Sequence, residues 1–213
     1  MLRNKFLVNF AMGFVKLTGL WAAFLFLKPR VKLEPEAARR LPKPVILVSN
    51  HVSLMDFVLY LVVFPFRTIR FLMAEVLYNK NKPFAFFLNA IGGIRVDRDS
   101  KDFGFVSDAL EVLDDGGSVG VFPQGRLPRG ESRVPFTAST AFIALHTDAP
   151  IVPVYTDGSY GLFKRAGVVI GKPIYLADYC QEDASEAEKL EQMTKLLEEK
   201  VYSLAQYLEE PKK

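Results

Sequence analysis

The chain has 213 residues with a formal net charge of +3 at pH 7, and half of its residues are hydrophobic. This length suits one α/β domain, or one domain with an appendage. The charge is too small for a nucleic-acid-binding surface, whereas the positive mean hydropathy of +0.14 favours a membrane surface. One cysteine, Cys180, excludes an internal disulfide and suits a reducing compartment. Two histidines and one cysteine argue against a common type of zinc site, so we expect no metal.

The first 27 residues are the most hydrophobic part of the chain. Basic residues interrupt them, and the charge-free run over residues 17–27 is shorter than the roughly 20 residues that cross a bilayer. No cleavage site typical of a signal peptide follows. We therefore expect residues 1–28 to form one or two helices embedded in a membrane or lying at its interface, ahead of an α/β domain over residues 29–213. A core helix packed on the domain is the alternative.

Strand and helix patterns alternate along the rest of the chain. Short apolar runs bounded by polar residues, Gly or Pro predict strands at 31–33, 45–48, 69–73, 94–96, 118–122, 151–155 and, as one or two edge strands, 168–176. Apolar residues at helical spacing predict helices at 56–64, within 78–89, and at 100–115, 136–146 and 184–208. This alternation predicts an α/β fold with a mixed, largely parallel sheet flanked by helices.

A histidine and an aspartate follow the apolar strand at 45–48. His51 lies in the polar break after this strand, and Asp56 stands five residues later at the start of an apolar run, so the two side chains could meet across a strand-to-helix turn. An imidazole beside a carboxylate is a general base with a fixed tautomer. Two structural alternatives remain open for this stretch. Ser53 and Asp56 match a capping box, and His51 could be a half-buried histidine with one satisfied nitrogen.

Arginines beside glycines follow two other predicted strands. They are Arg95, Arg98, Arg126 and Arg129, near Gly92, Gly93, Gly125 and Gly130. A guanidinium group beside glycine-permitted backbone suits a phosphate, although an exposed charge is the alternative for any single arginine. Since parallel strands end at one edge of a sheet, we expect residues 50–51, 97–98 and 124–126 to converge on one site.

No GxSxG elbow accompanies His51 and Asp56, so the interpretation as a serine hydrolase is weak. Ser49 and Ser53 are close to His51 in sequence, but this alone does not make either of them a nucleophile. A base without an obvious protein nucleophile suggests that a substrate hydroxyl or water is activated.

Four motifs in this order resemble the glycerolipid acyltransferase family, and within it the bacterial 1-acyl-sn-glycerol-3-phosphate acyltransferases. The motifs are Asn50-His51-x-x-x-x-Asp56, Gly93-Ile94-Arg95-Val96-Asp97-Arg98, Phe122-Pro123-Gln124-Gly125-Arg126 and Ile151-Val152-Pro153-Val154. The resemblance covers roughly residues 31–155. The histidine–aspartate motif alone is a weak signal, whereas four ordered motifs are a strong one.

The resemblance implies a reaction and a location. His51 would take the proton from the free hydroxyl of lysophosphatidic acid, and Asp56 would orient His51. The hydroxyl would attack the thioester of acyl-CoA or acyl–acyl carrier protein directly, giving phosphatidic acid for phospholipid biosynthesis. No cofactor is implied beyond this co-substrate. The family's amino-terminal helices sit in one membrane leaflet, which implies the cytoplasmic face of the cell membrane for this chain.

The resemblance also implies roles for other motif residues. The positions that hold the acceptor's phosphate correspond to Gly93, Arg98, Gly125 and Arg126, with Arg129 as a further candidate. Asn50 and Gln124 belong to the motifs as supporting residues, and Pro153 matches a proline that is thought to shape the acyl or acceptor pocket.

The third motif departs from the family pattern. Gln124 stands where the family has glutamate, and Leu127 occupies the more usual arginine position, because Arg126 directly follows Gly125. An amide keeps the hydrogen-bonding capacity but loses the charge. The departures leave glycerol 3-phosphate or another lysophospholipid open as the acceptor. A lipid or thioester hydrolase and a non-catalytic membrane-binding module are the alternatives from other classes.

Overall fold

The computed structural model describes residues 5–97, 104–128, 133–179 and 184–209. In these parts of the chain the strands are β1 (Arg30–Leu33), β2 (Val45–Ser49), β3 (Ile69–Ala74), β4 (Ile94–Val96), β5 (Ser118–Val121), β6 (Ile151–Thr156) and β7 (Gly167–Ile170). The helices are α1 (Lys5–Leu27), α2 (Asp56–Val63), α3 (Glu75–Tyr78), α4 (Lys82–Ala90), α5 (Gly104–Asp114), α6 (Ser139–Leu145), α7 (Glu186–Ser203) and α8 (Gln206–Glu209), with a 3₁₀ turn at Leu176–Tyr179.

The strands form one sheet in the order β1-β7-β6-β2-β5-β3-β4. Every neighbouring pair is parallel except β6 and β7, which are antiparallel. The predicted mixed, largely parallel sheet is confirmed. Five strands, β6, β2, β5, β3 and β4, therefore end at the same side of the sheet, which we call the carboxyl edge. β1 and β7 run the other way and begin at that edge.

The prediction of edge strands at 168–176 is wrong. β7 lies between β1 and β6 and all four of its residues are buried. Pro173 suggested an edge, because proline cannot donate to a strand ladder. The strand ends at Ile170, however, and beyond Pro173 the sheet gains an isolated bridge between Ile151 and Ile174.

The central strand β2 is buried on both faces, as expected of a parallel strand covered by helices. Val45 and Leu47 pack into a core with α1, α2 and α4, while Ile46 and Val48 pack into a second core with α5, α6 and α7. A continuous apolar run therefore suits this strand, and the sheet gives the loops at its carboxyl edge a rigid base.

Several predicted helices have shifted ends. The helix predicted at 56–64 is α2, which stops before Pro65 as expected. The tail predicted as one helix divides into α7, which begins at a capping box formed by Ser185 and Glu188, and the short α8. The first residues of the helix predicted at 100–115 lie outside the described residues, and α5 is seen from Gly104.

The amino-terminal segment is a single helix, α1, and its apolar side chains are mostly exposed. Phe6, Phe10, Phe14, Leu17 and Trp21 are each more than 60% exposed. The helix is 23 residues long, about 34 Å at 1.5 Å per residue. By length and composition it could cross a membrane, although its charge-free run is short. The exposed apolar face favours the membrane-associated interpretation over the core helix.

The charge in the middle of α1 has a structural partner. Lys16 Nζ donates to the carbonyl oxygens of Phe64, Pro65 and Arg67 at 3.2, 2.9 and 2.5 Å, at the carboxyl end of α2. A cation there satisfies helix-end carbonyls. At the end of α1, the amide of Ala166 donates to the carbonyl of Leu27. The helix thus lies along the α/β domain, and the predicted division after residue 28 stays a prediction.

We expect Lys16→Met to lower the free energy of unfolding by about 1–3 kcal/mol, because the carbonyls that follow α2 lose their donor. Chemical denaturation in a mild detergent measures this change. Thr18→Ala is a matched control, since the Thr18 hydroxyl bonds within α1 itself, to Phe14 at 2.8 Å. Equal stability of the two variants would show that Lys16 does not hold α1 to the domain.

Candidate active site

The site is built on the turn between β2 and α2. β2 ends at Ser49 and α2 begins at Asp56, so His51 and Asp56 lie on the short connection at the carboxyl edge. His51 Nδ1 is 2.7 Å from Asp56 Oδ2. The predicted meeting of imidazole and carboxylate is therefore present. With Nδ1–H donated to Asp56, Nε2 is the ring nitrogen left to accept a proton from a substrate.

The Asp56 carboxylate has no solvent exposure and is held by four donors. Oδ2 accepts from His51 Nδ1 and from the backbone amides of Val52 and Ser53, at 2.8 and 2.9 Å. Oδ1 accepts from the hydroxyl of Tyr160. A buried carboxylate requires such pairing. The predicted capping box is not formed, because α2 follows Met55 without a side-chain cap bond, although Asp56 does accept from two backbone amides of the preceding loop.

Asn50 joins the loop that carries His51 to the neighbouring strand. Its side-chain amide donates to the carbonyl of Thr156 at 2.8 Å, and its Oδ1 accepts from the amide of Thr156 at 2.9 Å. These two bonds extend the pairing of β2 with β6 by one position, with the Asn50 side chain in place of strand backbone. This bond pair explains the predicted supporting role of Asn50 in structural terms.

Gln124 supports His51 from the other neighbouring strand. This buried side chain follows β5, and its Oε1 accepts from the backbone amide of His51, while its Nε2 donates to the hydroxyl of Tyr202 on α7 at 3.2 Å. Arg133 stacks over the Tyr202 ring, with Cζ 3.2 Å from the ring centroid. Gln124 is therefore a backbone support in this structure. An amide side chain can support His51 as well as a carboxylate can, because the His51 backbone amide requires only a hydrogen-bond acceptor.

An aromatic stack fixes the plane of the imidazole. The His51 ring lies on Phe122 with centroids 4.3 Å apart and an interplanar angle of 18°, and Phe122 lies in turn on Phe71. Tyr60 packs beneath, and its hydroxyl bonds to Ser49. Burial and the nearby Asp56 charge raise the pKa of Tyr60, which keeps this phenol protonated. Ser49 is thus engaged within the core.

A cavity of about 430 Å³ opens beside His51. Its wall is mostly apolar and includes residues of β3, α2, α3, α4 and the loops after β2 and β5, among them Leu54, Phe57, Leu77, Phe84 and Leu88. His51, Gly125 and Arg126 also line the cavity, so polar groups accompany the apolar wall. Such a space suits an apolar chain with a charged head group near the base.

Two of the three predicted strand ends are brought together. The segments at 50–51 and 124–126 meet through the His51–Gln124 bond, and Gly125 has a positive φ of 64° that suits glycine. The third predicted strand end follows β4, and Val96, the last residue of β4, lines the same cavity. Arg98 and Arg129, and the glycine at 130, lie outside the described residues.

Other predicted residues have structural partners. Arg95 is paired with Glu75 and sits 5.6 Å from the centroid of the Tyr78 ring. A Cβ on Gly93 would come within 2.6 Å of the Tyr78 hydroxyl, so close packing requires a glycine there. Pro153 lies buried in β6, opposite Val48 of β2. The phosphate role of Gly93 and the pocket role of Pro153 stay predictions.

Tyr160 and Tyr202 were not predicted from the sequence. Each stands far along the chain from the residue it supports, and neither belongs to a motif, so local spacing gave no signal for them. Among the described residues, no group of three or more His, Cys, Asp or Glu side chains could hold a metal ion.

Comparisons with known proteins point to one family. The family described as Acyltransferase matches residues 30–157. A 1-acyl-sn-glycerol-3-phosphate acyltransferase of Bacillus subtilis is 31% identical over 143 residues, covering 65% of this chain and 70% of that protein. A mouse enzyme, 1-acyl-sn-glycerol-3-phosphate acyltransferase alpha, is 27% identical over 72% of this chain and 54% of its own length. The crystal structure of a 1-acyl-sn-glycerophosphate (LPA) acyltransferase from Thermotoga maritima has the same fold, with a TM-score of 0.69 and 23% identity over 100% of this chain and 86% of that one.

We expect Gln124→Glu to keep turnover within about threefold of the wild type, because a carboxylate still accepts from the His51 amide and Tyr202 can donate to it. Gln124→Leu leaves that amide unpaired and should reduce turnover at least tenfold, an order-of-magnitude expectation for one lost hydrogen bond. Initial rates measure the turnover of each variant, and circular dichroism shows whether the variant is folded. Equal loss in both variants would mean that the uncharged amide itself is needed.

Proposed function

Because this chain belongs to the acyltransferase family, we infer that it moves a fatty acyl group from a thioester to the free hydroxyl of 1-acyl-sn-glycerol 3-phosphate, giving phosphatidic acid. The observation that carries this function is the His51–Asp56 pair, whose imidazole lines a mostly apolar cavity. The base is placed where an acceptor hydroxyl and an acyl chain can meet.

The reaction proceeds by direct transfer. His51 Nε2 takes the proton of the acceptor hydroxyl while its oxygen attacks the thioester carbonyl carbon. The new C–O ester bond forms, the C–S bond breaks, and the imidazolium returns the proton to the leaving thiolate. Asp56 stabilises the imidazolium and holds its tautomer, as in other histidine–aspartate pairs.

The nearby serines support direct transfer over an acyl-enzyme. The Ser49 hydroxyl bonds to Tyr60 inside the core, and the Ser53 hydroxyl accepts from the amide of Met55 at 3.1 Å. Neither of these hydroxyls is bonded to His51 in the structure, as an activated serine would be. The substrate hydroxyl is then the nucleophile.

The thioester donor is acyl-CoA or acyl–acyl carrier protein, and the reaction needs no further cofactor in this proposal. The apolar wall formed by α3 and α4 suits the acyl chain, since Val76, Leu77, Phe84 and Leu88 line it. The size of that cavity then limits the chain length that the enzyme accepts.

The phosphate of the acceptor is assigned to Arg126 and the backbone at Gly125. Both line the cavity beside His51, and a guanidinium group binds phosphate through paired hydrogen bonds. Arg98 and Arg129, which lie outside the described residues, also belong to the proposed set, and Gly93 is its fifth member. Leu127, where the family more usually has arginine, also lines the cavity, so glycerol 3-phosphate or another lysophospholipid is the alternative acceptor.

The protein is membrane-associated, and we place it on the cytoplasmic face. α1 exposes an apolar face and is attached to the domain at its middle by Lys16 and at its end by Leu27. A helix fixed along the domain in this way is suited to lie in one leaflet, with the cavity near the lipids that supply the acceptor. One cysteine in the whole chain agrees with a reducing compartment.

We expect His51→Ala to abolish acyl transfer and Asp56→Asn to reduce it by about 10²–10⁴, because the first removes the base and the second removes the charge that stabilises it. In the assay, detergent-solubilised protein is incubated with a panel of acceptors and with either labelled acyl-CoA or labelled acyl–acyl carrier protein. Thermal unfolding must show that both variants remain folded, since Asp56 is buried.

The same assay separates the competing functions. Fatty acid released without an acceptor would indicate a hydrolase, and a folded wild-type protein that transfers to no acceptor would indicate a binding module. Arg126→Gln tests the acceptor: it should raise KM for phosphate-bearing acceptors more than KM for the donor. An unchanged acceptor KM would remove Arg126 from the proposed phosphate site.

The single tryptophan of the chain reports on membrane contact. Trp21 is 76% exposed on α1, so we expect its fluorescence to shift to the blue when vesicles are added, and brominated acyl chains to quench it. The protein must be kept in a low-detergent buffer for this titration. An emission maximum that does not move at saturating lipid, together with release by a carbonate wash, would rule out embedding of α1.

A further inference from the structure

A tyrosine from a distant loop completes the pairing of the buried Asp56 carboxylate. Residues 157–166 connect β6 to β7 across the carboxyl edge, and this connection carries Tyr160. The Tyr160 hydroxyl donates to Asp56 Oδ1, whereas His51 and two backbone amides donate to Oδ2. The two oxygens are thus held from different parts of the fold. The sequence motifs include the groups on Oδ2 and leave out Tyr160.

The Tyr160 phenol is suited to donate and not to ionise. Its ring packs against the core formed by α1, α2 and α4, and burial together with the Asp56 charge raises its pKa well above the usual value for tyrosine. The hydroxyl also lies 3.4 Å from Thr156 Oγ1. A protonated phenol beside a buried carboxylate gives a charge-assisted hydrogen bond, which is stronger than a neutral one.

The connection that carries Tyr160 is fixed to the loop that carries His51. Asp157 Oδ1 accepts from the amides of Ser159 and Gly167, both at 2.9 Å, which closes the base of the connection. Gly158 has a positive φ of 68°, and a Cβ there would come within 2.7 Å of Val52 Cγ2. Glycine therefore allows the connection to pack directly on the residue after His51.

We propose that Tyr160 is a positioning residue for the reaction, which rests on the acyltransferase function inferred above. Its hydroxyl fixes the rotation of the Asp56 carboxylate, so that Oδ2 stays directed at His51 Nδ1. It also draws part of the carboxylate's charge away from the imidazole. Tyr160 acts on His51 through Asp56 and does not touch the reacting atoms.

The test is Tyr160→Phe, which removes the hydroxyl and keeps the ring that packs against the core. We expect kcat to fall about tenfold or more, the scale of one lost hydrogen bond to a charged group, with KM for donor and acceptor within about twofold. Without the phenol the carboxylate's full charge acts on His51. The protonated imidazole is then better stabilised, and the acid limb of the pH–rate profile should move to higher pH.

A readout without turnover separates positioning from general stability. The chain has two histidines, so nuclear magnetic resonance of histidine-labelled protein follows His51 and His146 in one titration. His146 bonds to the carbonyl of Phe142 at the end of α6 and serves as the internal control. We expect the titration of His51 to shift in Tyr160→Phe while that of His146 stays in place.

Tyr175→Phe is the matched control, because Tyr175 is half exposed and follows β7 on the far side of the isolated bridge at Ile174. It should leave kcat and both titrations unchanged. A wild-type protein that transfers acyl groups, together with a Tyr160→Phe variant of unchanged kcat and unchanged His51 titration, would overturn the positioning role. A wild-type protein without transfer activity would instead overturn the proposed function, and the histidine titration would still decide whether Tyr160 acts on His51.

Discussion

The buried charge of Asp56 is the constraint on which the site depends. A carboxylate without solvent must be paired by donors that hold their places, because an unpaired charge in a protein interior costs several kcal/mol. Here the donors are an imidazole, two backbone amides and a phenol. Each comes from a loop at the carboxyl edge, so the positions of these loops matter more than any single contact.

The sheet supplies those positions. His51 follows β2, Gln124 follows the neighbouring strand β5, and the neighbour on the other side, β6, ends at the Thr156 that binds Asn50. The two neighbours therefore hold the β2–α2 connection from both sides. This is possible because the three strands are parallel neighbours, so the loops that follow them leave the sheet at the same edge. The apolar cavity occupies the space between these loops and α3 and α4.

The sequence predicted the elements that depend on local patterns. Short apolar runs predicted the seven strands seen in the described residues, and the spacing of His51 and Asp56 predicted their contact. Local patterns say nothing of a partner a hundred residues away, which is why Tyr160 and Tyr202 were missed and β7 was placed at an edge. The sequence showed that Gln124 departs from the family pattern. Its role as the acceptor for the His51 amide became visible only when the structure placed that amide beside it. The roles of Arg98 and Arg129 stay predictions, because they lie outside the described residues.

The parallel pairing of β1 with β7 has a consequence for biosynthesis. Arg30 pairs with Gly167, so the edge strand β1 waits for a partner that is synthesised much later. Until β7 leaves the ribosome, β1 has no place in the sheet, and α1 lacks the Ala166 amide that binds its last carbonyl. The apolar face of α1 is meanwhile free to partition into a bilayer. Closure of the sheet at β1 therefore follows synthesis of β7, and only then is the carboxyl end of α1 attached to the domain.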